Sequence, residues 1–459
     1  MAKDTPHQTH YTRQIHHLLA QVYGRSAVKD SLLDRAIGYF EQEEFTPSEE
    51  KTSSEESQLK LMERNERHAN LLALSLTIIE LAEGDSYAEN NRKSAQFLGT
   101  IQLLSPTEGK RVATSNEQSK SIYKALLCLR LLDRLIIDGQ IREPYINKFL
   151  TDISSEEFII FAKHDADKYQ RFVEQVKVPL VMAALLQDIG NYHPKAQKIL
   201  FGDEGNLDPF RTLELKQRKE LLQINYRETL KYLTEGIGIP TFVGNTKAER
   251  EQFFVDEKGK LSFINQLLKS SVNPKNTIGN ILKVPQIYTS IILSTKASYN
   301  YKLLPKVFQV LNKNAEIGAC AQGVVDALYK ITGMFPQGFG VVYMPLGELW
   351  GQGDCYEYAI VNRLYPKNPE QPNCRLTTRQ LTFIGYGQNF VVKNSSNLYF
   401  TQTAKKLATL SKERLNEILE LLSSNSQERQ QLDLLPRCWH ANEFFSIKAN
   451  QNLWNNIET

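Results

Sequence analysis

Apolar residues recur at three- and four-residue spacing from the start of the chain to about residue 333, the signature of helix. Ile15, Leu18, Leu19, Val22 and Tyr23 share one face, and the pattern predicts helix across 11–40. Leu71, Leu72, Leu74, Leu76, Ile78, Ile79 and Leu81 are dense enough to predict a buried helix within 59–104. After a polar stretch at 105–116, Ile122, Leu126, Leu129 and Leu132 predict another helix from about Asn116 to Ile137, stopped by Asp138 and Gly139. A short helix is expected over about Glu143 to Phe149, and Ser154 with Glu157 fits a capping box that opens a further helical stretch. Gly and Pro punctuate that stretch at 202–209, 236–240 and 274–279. Strands do not alternate with the helices, which counts against a Rossmann or P-loop architecture.

The pattern changes at Gly333. Val341 to Met344, Tyr356 to Val361, Leu381 to Tyr386 and Asn389 to Val392 read as short strands separated by turn residues. Leu407, Leu410, Leu415, Ile418, Leu419 and Leu422 then restore a helical face. Glu41 to Ser57 holds seven Glu, with Pro47 among its serines and threonines, and reads as a solvated linker. The expected fold is mainly α. It comprises an N-terminal helix (1–45), an acidic linker (46–58), helical units at 59–153 and 154–335, a small antiparallel β module (336–400) and a helical tail (401–459).

Composition narrows the function classes. Lys and Arg number 55 against 52 Asp and Glu, a formal net charge of +3. Such a balance gives no reason to expect generic nucleic-acid binding or a polybasic membrane face. The longest apolar run, Val178 to Leu186, is far below the roughly 18 residues that span a bilayer, so no membrane span is expected. His7, His10, His16 and His17 crowd the start, but no apolar segment there suggests a signal peptide. Cys128, Cys320, Cys355, Cys374 and Cys438 are scattered without a CxxC pair, which predicts reduced thiols and a cytoplasmic protein rather than a zinc ribbon. Gly338 to Gly353 reads as strand turns, not a phosphate loop, and Cys320 reads as a core thiol.

Residues 183–200, AALLQDIGNYHPKAQKIL, combine the end of a buried helix with a turn that presents Asp188, Asn191 and His193. On the residues alone, a metal-binding pair and a helix cap beside a surface histidine both remain open. AALLQDIGN resembles the AALLHDIGK stretch of HD-domain phosphohydrolases, in particular the HD-GYP branch that hydrolyses cyclic di-GMP. NYRETLKYL (225–233), GNILKVPQIYTSI (279–291) and the stretch from Leu304 to Pro336 resemble later parts of the same family, in the same order. The β-rich stretch after Gly338 resembles the small extension that often follows. The resemblance covers about 178–373.

It implies a helical fold whose metal ligands are altered. The dyad histidine falls on Gln187, while the dyad aspartate is kept as Asp188. A further histidine falls on Asn225, the distal aspartate on Gln286 and the lysine after the dyad on Asn191. The loop that carries the GYP motif falls near 245–262, where there is no histidine. Amides bind divalent metals far less well than imidazole or carboxylate. The resemblance therefore implies no catalytic residues and no cofactor, with a cleft recast for a protein partner or a cyclic dinucleotide. Asn191, Tyr192, His193, Arg227, Lys283 and Tyr288 are its candidate ligand-binding residues. The alternatives are a metal-dependent phosphohydrolase with unconventional ligands (Asp188, His193, and His164 or Asp165) and a helical scaffold that works through its N-terminal unit. Homo-oligomerisation is open in each.

Overall fold

The computed structural model describes residues 7–24, 27–45, 54–345, 354–423, 426–431 and 433–455. Helices of nine residues or more are numbered here. They are α1 His10–Tyr23, α2 Leu32–Phe45, α3 Ser54–Ala82, α4 Tyr87–Leu104, α5 Val112–Ile137, α6 Val178–Leu186, α7 Leu215–Lys231, α8 Lys247–Val272, α9 Asn280–Ile292, α10 Val307–Glu316, α11 Gln322–Thr332 and α12 Lys412–Leu422.

The molecule is built around α5. From Ile122 to Leu132 this helix is buried on every side, because α4, α6, α9 and α11 pack around it. All nine residues of α6 are buried, the usual fate of a helix that is apolar all round. A π-helical turn, Val173–Lys177, leads into α6, with Pro179 in its first turn where no backbone donor is needed. The amphipathic helices close the periphery. Side chains cap several of them: Thr9 for α1, Ser86 for α4 and Thr246 for α8.

Five short strands form one antiparallel sheet, in the order Asn389–Val391, Asn373–Leu376, Glu357–Val361, Gly340–Tyr343, Cys438–Trp439. Val342 pairs with Tyr358, Cys374 with Phe390 and Val341 with Cys438. The fold is mainly α with a small antiparallel sheet near the C-terminus, as the pattern predicts.

Several element expectations need correction. The helix expected over 11–40 is two helices, and residues 29–31 between them leave the helical path, with Lys29 at φ +52°. Ser54 to Ser57, expected in the linker, form the start of α3; the linker's residues 46–53 lie outside the described residues. The strand expected at Leu381 to Tyr386 is only Thr382–Phe383, paired with Thr378–Arg379. Asn373–Leu376 is a strand that Pro372 and Asn373 disguise as a turn. The tail, expected to be helical, also contributes the edge strand Cys438–Trp439. The Gly-rich stretch is described only to Pro345, so the rest of that expectation lies outside the described residues.

Candidate functional site

Where α5, α9 and the turn after α6 meet, they line an open cavity of about 520 Å³. The first half of α5 supplies Glu117, Lys120, Ser121 and Lys124, and α9 supplies Gln286 and Thr289. Asp188, Asn191 and Tyr192 come from the turn after α6, and Tyr23 from α1. Phe201, Phe210 and Leu221 add an apolar wall, and Lys296 closes another side.

Asp188 is the polar centre. Its carboxylate accepts a hydrogen bond at Oδ2 from the Lys124 ammonium (2.7 Å) and at Oδ1 from the Gln286 amide (3.1 Å). The Lys124 side chain is 3% exposed, whereas that of Asp188 is 47% exposed and opens into the cavity. Burial would raise the Asp188 carboxyl. The Lys124 ammonium and its hydrogen bond, with Lys120 and Gln286, outweigh that and hold it below the ordinary carboxylate value.

The turn is locked from behind by α7. The Gly190 N–H donates to Thr229 Oγ1 (3.1 Å), Thr229 Oγ1 to Asn225 Oδ1 (3.3 Å), and Asn225 Nδ2 to the Gln187 carbonyl (3.2 Å). A Cβ on Gly190 would lie 2.3 Å from the Asn225 carbonyl oxygen, so only glycine permits this approach.

Three lysines face the cavity against two carboxylates. Lys120 pairs with Glu117 (2.8 Å), which also accepts from the Tyr23 hydroxyl (3.1 Å). Lys296 donates to the carbonyls of Phe210 (3.2 Å) and Arg211 (2.9 Å). Burial, then repulsion from Lys120 and Arg218, lowers the Lys296 ammonium from its ordinary value.

Of the candidate residues, Asp188, Gln286, Asn191 and Tyr192 line this cavity. Gln187 turns away and donates to Ser271 Oγ (3.3 Å), and Asn225 is held in the brace behind the turn. His193 is a cap: its Nδ1 accepts from the Lys195 N–H (3.2 Å), and its ring packs edge-on against Phe40. Arg227 is largely exposed and pairs with Glu228 (2.7 Å). Lys283 is outside the cavity wall; burial pushes its ammonium below the ordinary value, with Asp188 opposing. Tyr288 is a core residue against Phe308. Cys320 is buried, as expected, and burial raises its thiol.

The unconventional metal set is not assembled on the cavity. His164 is an exposed residue at the end of a short helix, Asp165 caps the next helix by accepting from the Lys168 N–H (2.9 Å), and His193 is a cap. Among the described residues no group of three or more His, Cys, Asp or Glu side chains is placed to hold a metal ion. At Asp188 itself, one carboxylate with an ammonium and an amide does not fit a divalent cation, whose ligands must be anionic or neutral donors.

Sequence reasoning missed Lys120, Lys124, Glu117 and Lys296. A signal existed: Glu117, Lys120, Ser121 and Lys124 form a polar stripe at three- and four-residue spacing on an otherwise apolar helix. A second buried polar group was missed as well. Glu83, Arg130, Asp133 and Lys177 form a closed ionic quartet. Lys177 lies 2.7 Å from Glu83 and 3.2 Å from Asp133, and Arg130 lies 3.0 Å from Asp133 and also pairs with Glu83. The Tyr169 hydroxyl donates to Glu83 (3.0 Å). Two cations match two carboxylates, so the quartet is neutral and braces the residue after α3, α5 and the π-helical turn.

Comparisons with protein-family models, curated proteins and solved structures find no significant match to this chain.

Proposed function

We propose that this chain is a non-catalytic regulatory relative of HD-domain phosphohydrolases, in which the Lys124 ammonium stands where the family binds metal. The observation that carries the reading is the contact of Lys124 Nζ with Asp188 at 2.7 Å, completed by the Gln286 amide at 3.1 Å. Asp188 and Gln286 are 98 residues apart, and the resemblance alone pairs them. Hydrolysis in that family needs a water activated by metal, and a metal needs several anionic or imidazole donors. Here the single carboxylate is already neutralised by Lys124. A divalent ion would also face the ammonium groups of Lys120 and Lys296 on the same cavity wall, and like charges repel. The role left to the cleft is binding, within bacterial signalling, by a protein that acts in the cytoplasm.

Two measurements on protein purified without chelator test this reading. Metal analysis should find no stoichiometric Mn, Fe or Ni, and added metals should give no turnover of cyclic di-GMP. Turnover that vanishes in Asp188→Ala would establish the phosphohydrolase instead.

A further inference from the structure

We infer that the open cavity beside Asp188 takes a monocarboxylic acid with an apolar chain, its carboxylate bridging Lys120 and Lys296 and its chain lying along the apolar wall. This rests on the non-catalytic reading above and names the ligand class of the same cleft.

The first observation is the wall. Leu200, Phe201, Pro209, Phe210 and Leu221 line the cavity, and each is only partly buried. The buried Leu33, Leu185 and Ile189 line it as well. Apolar side chains left half-covered around one cavity form a surface that an apolar ligand removes from water. Tyr23 and Tyr192 also face it, but their rings meet edge to face, with centroids 5.7 Å apart and planes at 77°. That pair offers no parallel slot for a planar ring, whereas a flexible chain can follow the aliphatic surface beside it. About 520 Å³ lies within the roughly 300–1,000 Å³ of small-ligand pockets.

The second observation is a pair of ammonium groups with donor capacity to spare. Each carries three N–H groups. Lys120 donates to Glu117 (2.8 Å) and to Thr295 Oγ1 (3.4 Å), and Lys296 donates to the carbonyls of Phe210 (3.2 Å) and Arg211 (2.9 Å). One N–H on each is left over by these bonds, and solvent reaches both side chains. The contact of Lys120 with Thr295, the residue before Lys296, brings the two ammonium groups near each other. The two oxygens of a carboxylate can accept one N–H from each, as charge-assisted hydrogen bonds. The cavity has three lysines against two carboxylates, so one further negative charge balances it. Charge alone admits many anions; the half-covered apolar wall selects one whose other end is apolar.

Isothermal titration of the full chain, below micelle-forming concentrations, tests the inference with decanoate, octanoate, acetate, decanol, decyltrimethylammonium, GMP and cyclic di-GMP. Decanoate should bind one per chain, and octanoate about fifteenfold more weakly for the loss of two buried methylenes. Acetate should give no measurable binding. Decanol and decyltrimethylammonium should bind at least about tenfold more weakly than decanoate, because neither can accept from the two lysines through a carboxylate. Lys296→Gln should weaken decanoate about fivefold or more and leave decanol unchanged, and Phe201→Ser should weaken both. Thermal unfolding confirms that each variant is folded. No binding of decanoate to folded wild-type protein overturns the inference, and so does uptake of many molecules per chain. It is equally overturned by octanoate, decanol or decyltrimethylammonium binding as tightly as decanoate, by GMP or cyclic di-GMP binding more tightly, or by unaltered decanoate affinity in either folded variant. None of these results involves metal uptake or turnover, which decide the non-catalytic reading separately.

Discussion

His440 shows how far a side chain can be moved from its usual chemistry by where the fold puts it. Its Nδ1 lies 2.6 Å from Thr107 Oγ1, and its ring packs on Tyr301. Burial, with Arg429 and Lys302 nearby, pushes its pKa down to about 4. The folded state therefore resists a proton that the unfolded chain accepts below about 6.5. Stability should be insensitive to this group above pH 6.5, should fall as the pH drops from 6.5 to 4, and should level off below that. The full effect is at most about 3 kcal/mol. Urea unfolding of wild type and His440→Gln at pH 7 and pH 4.5 checks it: the variant should lose less stability between the two. Equal losses would mean that His440 titrates alike in both states. Lys124 is displaced in the same sense, since nothing in its local sequence marks it as buried. Its neighbours Ala125 and Leu126 read as core, and only the packing of α6 and α9 onto α5 removes Lys124 from water. That is why Asp188 and Gln286 could be read in the sequence, through the resemblance, and Lys124 as part of a polar stripe, while the burial of Lys124 against Asp188 could not.

Among the elements, regular helices were the readable part, because a periodic apolar face is a property of the sequence itself. The exceptions depend on tertiary structure. The π-helical turn Val173–Lys177 sets Lys177 into the ionic quartet, and its extra residue per turn leaves no trace in apolar spacing. The edge strand Cys438–Trp439 is two residues long and is a strand only because Gly340 and Val341 lie beside it. The turn after α6 shows the converse: its shape is set by one residue that can be named. Gly190 lets the turn touch α7, and Gly190→Ala would place a Cβ 2.3 Å from the Asn225 carbonyl oxygen. Backbone must shift, so the variant should lose about 1–3 kcal/mol in chemical unfolding. A Gly190→Ala protein with wild-type stability would show that the turn and α7 are not in contact.

At the scale of the molecule, the sheet and the helical body are tied together by the end of the chain. Gly338, at φ +85°, brings the start of the sheet against Gly99 of α4, and the Trp454 ring covers the same glycine from the other side. Asn362, directly after the strand Glu357–Val361, donates to the Leu453 carbonyl (2.9 Å). Gln451 accepts from the Thr9 N–H (2.9 Å) and the Thr12 hydroxyl (2.8 Å), so the first helix is held by the last turn. Trp454, 3% exposed, is the largest apolar part of this clasp. Trp454→Ala should therefore cost about 3–5 kcal/mol, the usual range for emptying a buried aromatic site. Its effect should also be global. Far-UV dichroism follows the helices, and the fluorescence of Trp439, read in a Trp350→Phe background, follows the sheet. Because Trp454 touches α4 while its neighbour Leu453 bonds to the sheet, both signals should shift together to a lower midpoint. A variant in which fluorescence shifts and the helical signal stays in place would show the sheet unfolding on its own, with the clasp belonging to that part alone.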